Sequence, residues 1–177
     1  MDKLFEFLKL NNLSISTAES CTGGMIASAI TNVSGASAFF GTGVVTYSNE
    51  AKMKLIGVNK ETLDKYGAVS EQTAAEMAEG VLKLGESDVS VAVTGIAGPT
   101  GGTAEKPVGL VYIGVSGKYG TFVYKNFFNG NRDEVRTQTV NTAFKLVFDY
   151  LIKFHSWFFC LFEVLYYWWI FVNPERK

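Results

Sequence analysis

Residues 88–95, DVSVAVTG, form a near-continuous apolar run that ends on a glycine. A short valine-rich run of this kind reads as a buried strand, and a buried strand must be covered. The segment before it supplies cover: EQTAAEMAEGVLKL carries apolar residues at helical spacing, with Ser70 as its N-cap. The same alternation runs through the first half of the chain. Leu4, Phe5, Leu8 and Leu10 suggest a short amphipathic helix, LSIST a strand, and MIASAITNV a helix. Residues 38–47, AFFGTGVVTY, are strand-like. Ser48 or Asn49 can then cap a helix through EAKMKLI that Gly57 stops, and Asn59 to Tyr66 is a further short helix closed by Gly67. Strands cluster later: VGLVYIGVSG and GTFVYKNFF, split by Gly117 and Gly120, read as an antiparallel pair, and RDEVRTQTVNTAFKLVFDYLIK returns to helical periodicity. The pattern predicts an α/β fold, a three-layer α/β/α domain with a mixed parallel and antiparallel sheet.

The 177 residues suit one domain of ordinary size, placed here at 1–153. Residues 154–177 are set apart as an atypical aromatic and apolar C-terminal tail. The stretch from Leu151 to Val172 has Lys153, His155 and Glu163 as its ionisable residues and holds the tryptophans. It is long enough to cross a bilayer, but Glu163 falls near its middle, where a carboxylate is costly, and its aromatics are not gathered at its ends. A packed extension, or a foreign or frame-shifted end, is preferred to a membrane anchor. A formal charge of −1, from 16 basic and 17 acidic residues, gives no positive field for a nucleic-acid backbone. Cys21 and Cys160 lack the spacing of a zinc site or disulfide framework, which suits a reducing compartment. The first residues lack the features of a signal peptide, and the expected location is cytoplasmic.

The stretch AESCTGG, residues 18–24, places Ser20 at a strand-to-helix turn. Free backbone N–H groups and the positive end of a helix dipole at such a turn can hold an oxyanion or a phosphate. Ser20 is equally placed to be an ordinary N-cap, with the glycines permitting close packing. No Gly-Lys-Ser/Thr follows, so this is not a Walker loop. Cys21 is a rival nucleophile. The single histidine, His155, lies in the tail, so a nucleophile in the body of the domain needs another base, and a lysine kept neutral could serve. Spacing alone does not select which lysine. The glycine-rich stretch TGIAGPTGGTAEKPVG follows the buried strand, where open α/β sheets bind ligands, although its composition also suits a plain turn. Arg132 and Arg136, in FNGNRDEVR, could each grip a phosphate or pair with Asp133 or Glu134 on a solvated helix face.

Together the ordered segments TAESCTGG, VTYSNEAK, GAVSE, TGIAGPTGG, EKPVG and FNGNRDEVR resemble the CinA C-terminal domain family over about residues 1–150. Its enzymatic members are nicotinamide mononucleotide deamidases of the PncC type. The resemblance implies hydrolysis of the carboxamide of nicotinamide mononucleotide to nicotinate mononucleotide and ammonia, in pyridine nucleotide recycling, with no metal and no cofactor. It puts the nucleophile on Ser20, the partner base on Lys52, and a hydrogen-bonding tyrosine on Tyr47. Thr22, Gly23, Thr94 and Gly95 are expected to bind substrate, Thr94 and Gly95 near the reacting amide, and Arg132 to bind phosphate, with Arg136 as the alternative. The N–H groups at the start of the following helix are expected to hold the oxyanion. A homo-oligomer is also implied, with no nucleic-acid partner. Many members carry a second, N-terminal pyrophosphatase domain that this sequence does not contain, and no such activity is expected of it. Two other readings are a non-catalytic nucleotide-binding module and a membrane-tethered interaction protein; a serine with a partner base argues against the first.

Overall fold

The computed structural model describes the backbone of residues 2–172 and the side chains of residues 3–153. In chain order the elements are α1 (Asp2–Leu10), β1 (Ile15–Glu19), α2 (Met25–Thr31), a 3₁₀ turn (Ala36–Ala38), β2 (Phe40–Val45), α3 (Asn49–Ile56), α4 (Lys60–Tyr66), α5 (Glu71–Gly85), β3 (Val89–Gly95), β4 (Leu110–Gly117), β5 (Gly120–Phe127) and α6 (Arg132–Val172). The strands make a five-stranded sheet in the order β2-β1-β3-β4-β5. β1 runs parallel to both β2 and β3, whereas β3, β4 and β5 pair antiparallel. The sheet is therefore mixed, with its parallel part at the β2 side.

Helices cover both faces. Leu4, Phe5 and Leu8 of α1, Ile26 and Ile30 of α2, and Val135, Phe144 and Val147 of α6 pack on Val89, Val91 and Val93 of β3 and Val111, Ile113 and Val115 of β4. The odd-numbered valines of β3 thus serve one layer, as strand alternation requires. On the other face Met77, Ala78 and Val81 of α5 meet Ala18 and Ala92, with Ile56, Val58 and Leu63 from α3, α4 and the segment between them. Small residues line the sheet there and let α5 lie close. Ser90 Oγ donates to the Ala78 carbonyl at 2.7 Å, and a Cβ on Gly114 would come within 2.5 Å of the Ala74 carbonyl oxygen. The α/β/α layering read from the sequence is the observed one.

The helix boundaries follow from their caps. Ser48 Oγ accepts from Ala51 N–H and Ser70 Oγ from Thr73 N–H, while Gly57 closes α3 at φ 68°. β1 extends past the predicted LSIST to Glu19, because Ala18 and Glu19 are paired on both sides, with Val44 and Val45 of β2 and Ala92 and Val93 of β3. Two partner strands outweigh the weak strand propensity of those residues. Among the described residues no helix is long and apolar enough to cross a membrane. The side chains of the predicted tail, including His155, Cys160 and Glu163, lie outside the described residues, and so do the packing and membrane readings that rest on them.

Candidate active site

The parallel register brings together the residues that follow each parallel strand. Val45 sits beside Glu19, and Thr46 N–H donates to the Glu19 carbonyl at 2.8 Å, so the ends of β1 and β2 are neighbours. β1 then turns through Ser20 to Gly24 into α2. Gly23 and Gly24 take φ values of 62° and 100°, a left-handed backbone that glycine adopts without steric cost. β2 leads through Tyr47 and Ser48 into α3, whose first turn carries Lys52 back over the end of β1. Lys52 and Ser20, 32 positions apart in sequence, thereby meet, with Lys52 Nζ donating to Ser20 Oγ at 3.2 Å.

The lysine is almost fully enclosed, 1% exposed, and Nζ also donates to the Thr46 carbonyl at 2.8 Å and the Tyr47 carbonyl at 3.5 Å. No carboxylate pairs with it among the described residues. Burial pushes its pKa below the ordinary lysine value, opposed by the nearby Cys21 thiol. Cys21 goes the other way: burial raises its pKa to about 11, so the thiol stays protonated and is a poor nucleophile at neutral pH. Of the two candidates Ser20 alone has the Lys52 amine within hydrogen-bond reach of its side chain.

Ser20, Cys21, Tyr47, Lys52, Thr94, Gly95 and Arg132 line one cleft of about 340 Å³, with Ala68, Val69 and the 96–101 loop completing it. The cleft lies at the C-terminal ends of the parallel strands β1, β2 and β3, where open α/β sheets place their ligands. Thr94 Oγ1 donates to the Ala68 carbonyl at 2.8 Å and ties the end of β3 to the cleft's far wall. Arg132, the first residue of α6, donates from Nη1 to the Gly98 carbonyl at 2.8 Å. Asn131 Oδ1 fixes that helix start by accepting from the N–H groups of Asp133 and Glu134. Arg136 does not line the cleft. Its Nη2 donates to the Thr22 carbonyl at 2.8 Å, within the Ser20–Gly24 turn, with Asp133 3.7 Å from Nη1.

Several predicted site residues are placed differently from the expectation. Tyr47 lines the cleft, but the residue is 64% exposed and its carbonyl, not its hydroxyl, takes the site hydrogen bond. Thr22 and Gly23 lie outside the cleft lining; Thr22 is fully buried and its hydroxyl donates to Glu19 Oε2 at 2.6 Å. The expected oxyanion donors at the start of α2 are already taken. Gly24 and Ile26 N–H donate to Glu19 Oε2, each at 3.0 Å, and Ala27 N–H to Oε1 at 2.8 Å. Glu19 was not among the residues that the sequence pointed to. Its signal was an acid at the last strand position before a helix whose own N-cap, Gly24, has no side chain to do the capping. Among the described residues no three His, Cys, Asp or Glu side chains cluster as a metal site requires.

The CinA C-terminal domain family matches residues 1–151. A CinA-like protein from Endomicrobium trichonymphae is 58% identical over 147 residues, which is 83% of this chain and 34% of that protein. The chain spans about a third of the length of the curated relatives it matches. Among solved structures, the competence/damage inducible protein CihA from Agrobacterium tumefaciens superposes with a TM-score of 0.81 at 45% identity, over 83% of this chain and 90% of that one. The competence damage-inducible protein A (ComA) from Klebsiella pneumoniae gives 0.82 at 36% identity, over 85% and 94%.

Proposed function

Because the chain belongs to the CinA C-terminal domain family, we propose that it is an amidohydrolase converting nicotinamide mononucleotide to nicotinate mononucleotide and ammonia through an acyl-enzyme on Ser20. The observation that carries this reading is the 3.2 Å contact between Ser20 Oγ and a buried, carboxylate-free Lys52. A neutral amine has two hydrogens and one lone pair. Once it has lost its proton, Lys52 can keep those hydrogens on the Thr46 and Tyr47 carbonyls and turn its lone pair to the Ser20 hydroxyl, reversing the contact in which Nζ donates to Oγ.

In the proposed reaction, Lys52 takes the Ser20 proton as Oγ bonds to the carboxamide carbon, and the carbonyl oxygen becomes an oxyanion. Collapse of that intermediate breaks the carbon–nitrogen bond. The proton held by Lys52 passes to the departing nitrogen, and ammonia leaves. Water, giving a proton to Lys52, then attacks the ester, and Ser20 regains its proton as nicotinate mononucleotide departs. Arg132, on the same cleft as the pair, is the proposed phosphate ligand because its guanidinium can present paired donors to phosphate oxygens.

The test follows ammonia and nicotinate mononucleotide released from nicotinamide mononucleotide. The wild type is expected to turn over, and Ser20→Ala and Lys52→Met each to lose on the order of 10⁴-fold or more in kcat, because a nucleophile and its base act as one unit. Both variants are expected to keep nucleotide binding in calorimetry. Normal turnover by Ser20→Ala would overturn the mechanism, and no turnover by a folded, nucleotide-binding wild type would overturn the activity.

A further inference from the structure

The acid at the end of β1 takes no part in these steps, yet it is the most heavily hydrogen-bonded side chain around them. Glu19 is 1% exposed and accepts from the Thr22 hydroxyl and from the N–H groups of Gly24, Ile26 and Ala27. A carboxylate removed from water needs donors in its place, and here they are the unpaired N–H groups at the start of α2, where the helix dipole also favours negative charge. The last residue of β1 thus caps the helix that follows it, across the turn holding Ser20.

This arrangement decides which donors can reach a reacting oxygen. Ser20 N–H donates to the Val93 carbonyl, Gly23 N–H to the Ser20 carbonyl and Met25 N–H to the Thr22 carbonyl. With Glu19 holding Gly24, Ile26 and Ala27, the N–H groups of Cys21 and Thr22 are, among the described residues, the two between Ser20 and Ala27 taken by neither a backbone carbonyl nor Glu19, the Cys21 N–H lying against its own thiol. Cys21 lines the cleft and Thr22 does not. We infer that Glu19 is a positioning residue: its buried carboxylate locks the Ser20–Ala27 turn in the form that directs Ser20 Oγ at Lys52, and leaves the Cys21 N–H as the turn's donor to the oxyanion. The inference rests on the acyl-enzyme reading above. Glutamine at this position would lose the charge and turn an amide N–H toward a backbone N–H that now donates to oxygen, so the turn would have to rearrange.

The experiment reads the reactivity of Ser20 without depending on the substrate. A fluorophosphonate is displaced at phosphorus by an activated serine: the Oγ–P bond forms, fluoride leaves, and the serine proton passes through the base to solvent. Labelling of the Ser20 peptide is timed by mass spectrometry on the full chain, beside turnover of nicotinamide mononucleotide and thermal unfolding. Glu19→Gln is expected to fold, to label roughly 100-fold more slowly, and to lose kcat by a similar factor with KM unchanged, since small misplacements of a reacting group cost about that much. Thr22→Val, which removes one donor, is expected to fall between it and the wild type. A purely structural role would lower the melting temperature and leave the labelling rate of the folded protein unchanged. Wild-type labelling in folded Glu19→Gln, or in Thr22→Val should Glu19→Gln not fold, would overturn the inference. A wild type that labels but releases no ammonia would sink the substrate while the labelling series still judges Glu19; no labelling of wild-type Ser20 would sink the nucleophile and this inference with it.

Discussion

Lys52, the proposed base, belongs to a residue type usually found at the surface but is here almost fully enclosed. Desolvation disfavours the ammonium, the surrounding acceptors are carbonyls and a hydroxyl, and no carboxylate among the described residues restores the charge. The sign of the consequence is fixed. A base with a lowered pKa is active once it has lost its proton, so kcat/KM is expected to rise with pH through that lowered value and level off before the ordinary lysine value of 10.5. Stability moves the same way: the unfolded lysine binds a proton that the folded one has released, so between the two pKa values folding is favoured by raising pH. Below the folded pKa the full penalty of burying the ammonium is present. The stability of the wild type relative to Lys52→Met should therefore increase as pH approaches 10.5, measured by denaturant unfolding at several pH values. A flat difference, or activity that falls as the pH rises from neutral, would mean that Lys52 is not the base.

At the scale of elements, the two arginines of α6 separate into two tasks. Arg132 reaches the Gly98 carbonyl on the cleft, whereas Arg136, one turn later, reaches the Thr22 carbonyl in the Ser20–Gly24 turn. Arg132→Met is expected to raise KM for the nucleotide roughly 10- to 100-fold, the worth of a charged hydrogen-bonded contact, with a smaller change in kcat. Arg136→Met should show the reverse pattern, a lower kcat with KM little changed. Steady-state kinetics on the two variants decide this, and equal effects on KM would contradict the division. The sequence left these arginines as alternatives, because residues four apart on a helix share a face and only the surrounding turns distinguish them. Element ends were legible wherever a side chain or glycine made the boundary itself, as at Ser48, Gly57 and Ser70. The start of α2 was also legible, at Met25, but its cap was not, because the residue that caps it sits on the preceding strand, five positions before Gly24.

The whole molecule explains why the site is where it is. With β1 between β2 and β3, and all three parallel, their C-terminal ends deliver Ser20, Tyr47 and Thr94 to one cleft. The α/β/α layering could be read from the apolar run at 88–95 and the helical spacing around it, since both are local patterns. Strand order could not, because it depends on which edges meet over long separations, and the pairing of Ser20 with Lys52 came only from likeness to a family. Nothing in their spacing of 32 positions indicates contact until β1 and β2 are known to lie side by side. The proposed covalent bond at Ser20 is tested by rapid acid quench of the enzyme during turnover of nicotinamide mononucleotide, followed by peptide mass spectrometry. A nicotinoyl mononucleotide ester is expected on the peptide containing Ser20, appearing before product and absent in Ser20→Ala. Full turnover with no adduct at Ser20, and undiminished turnover in Ser20→Ala, would contradict it.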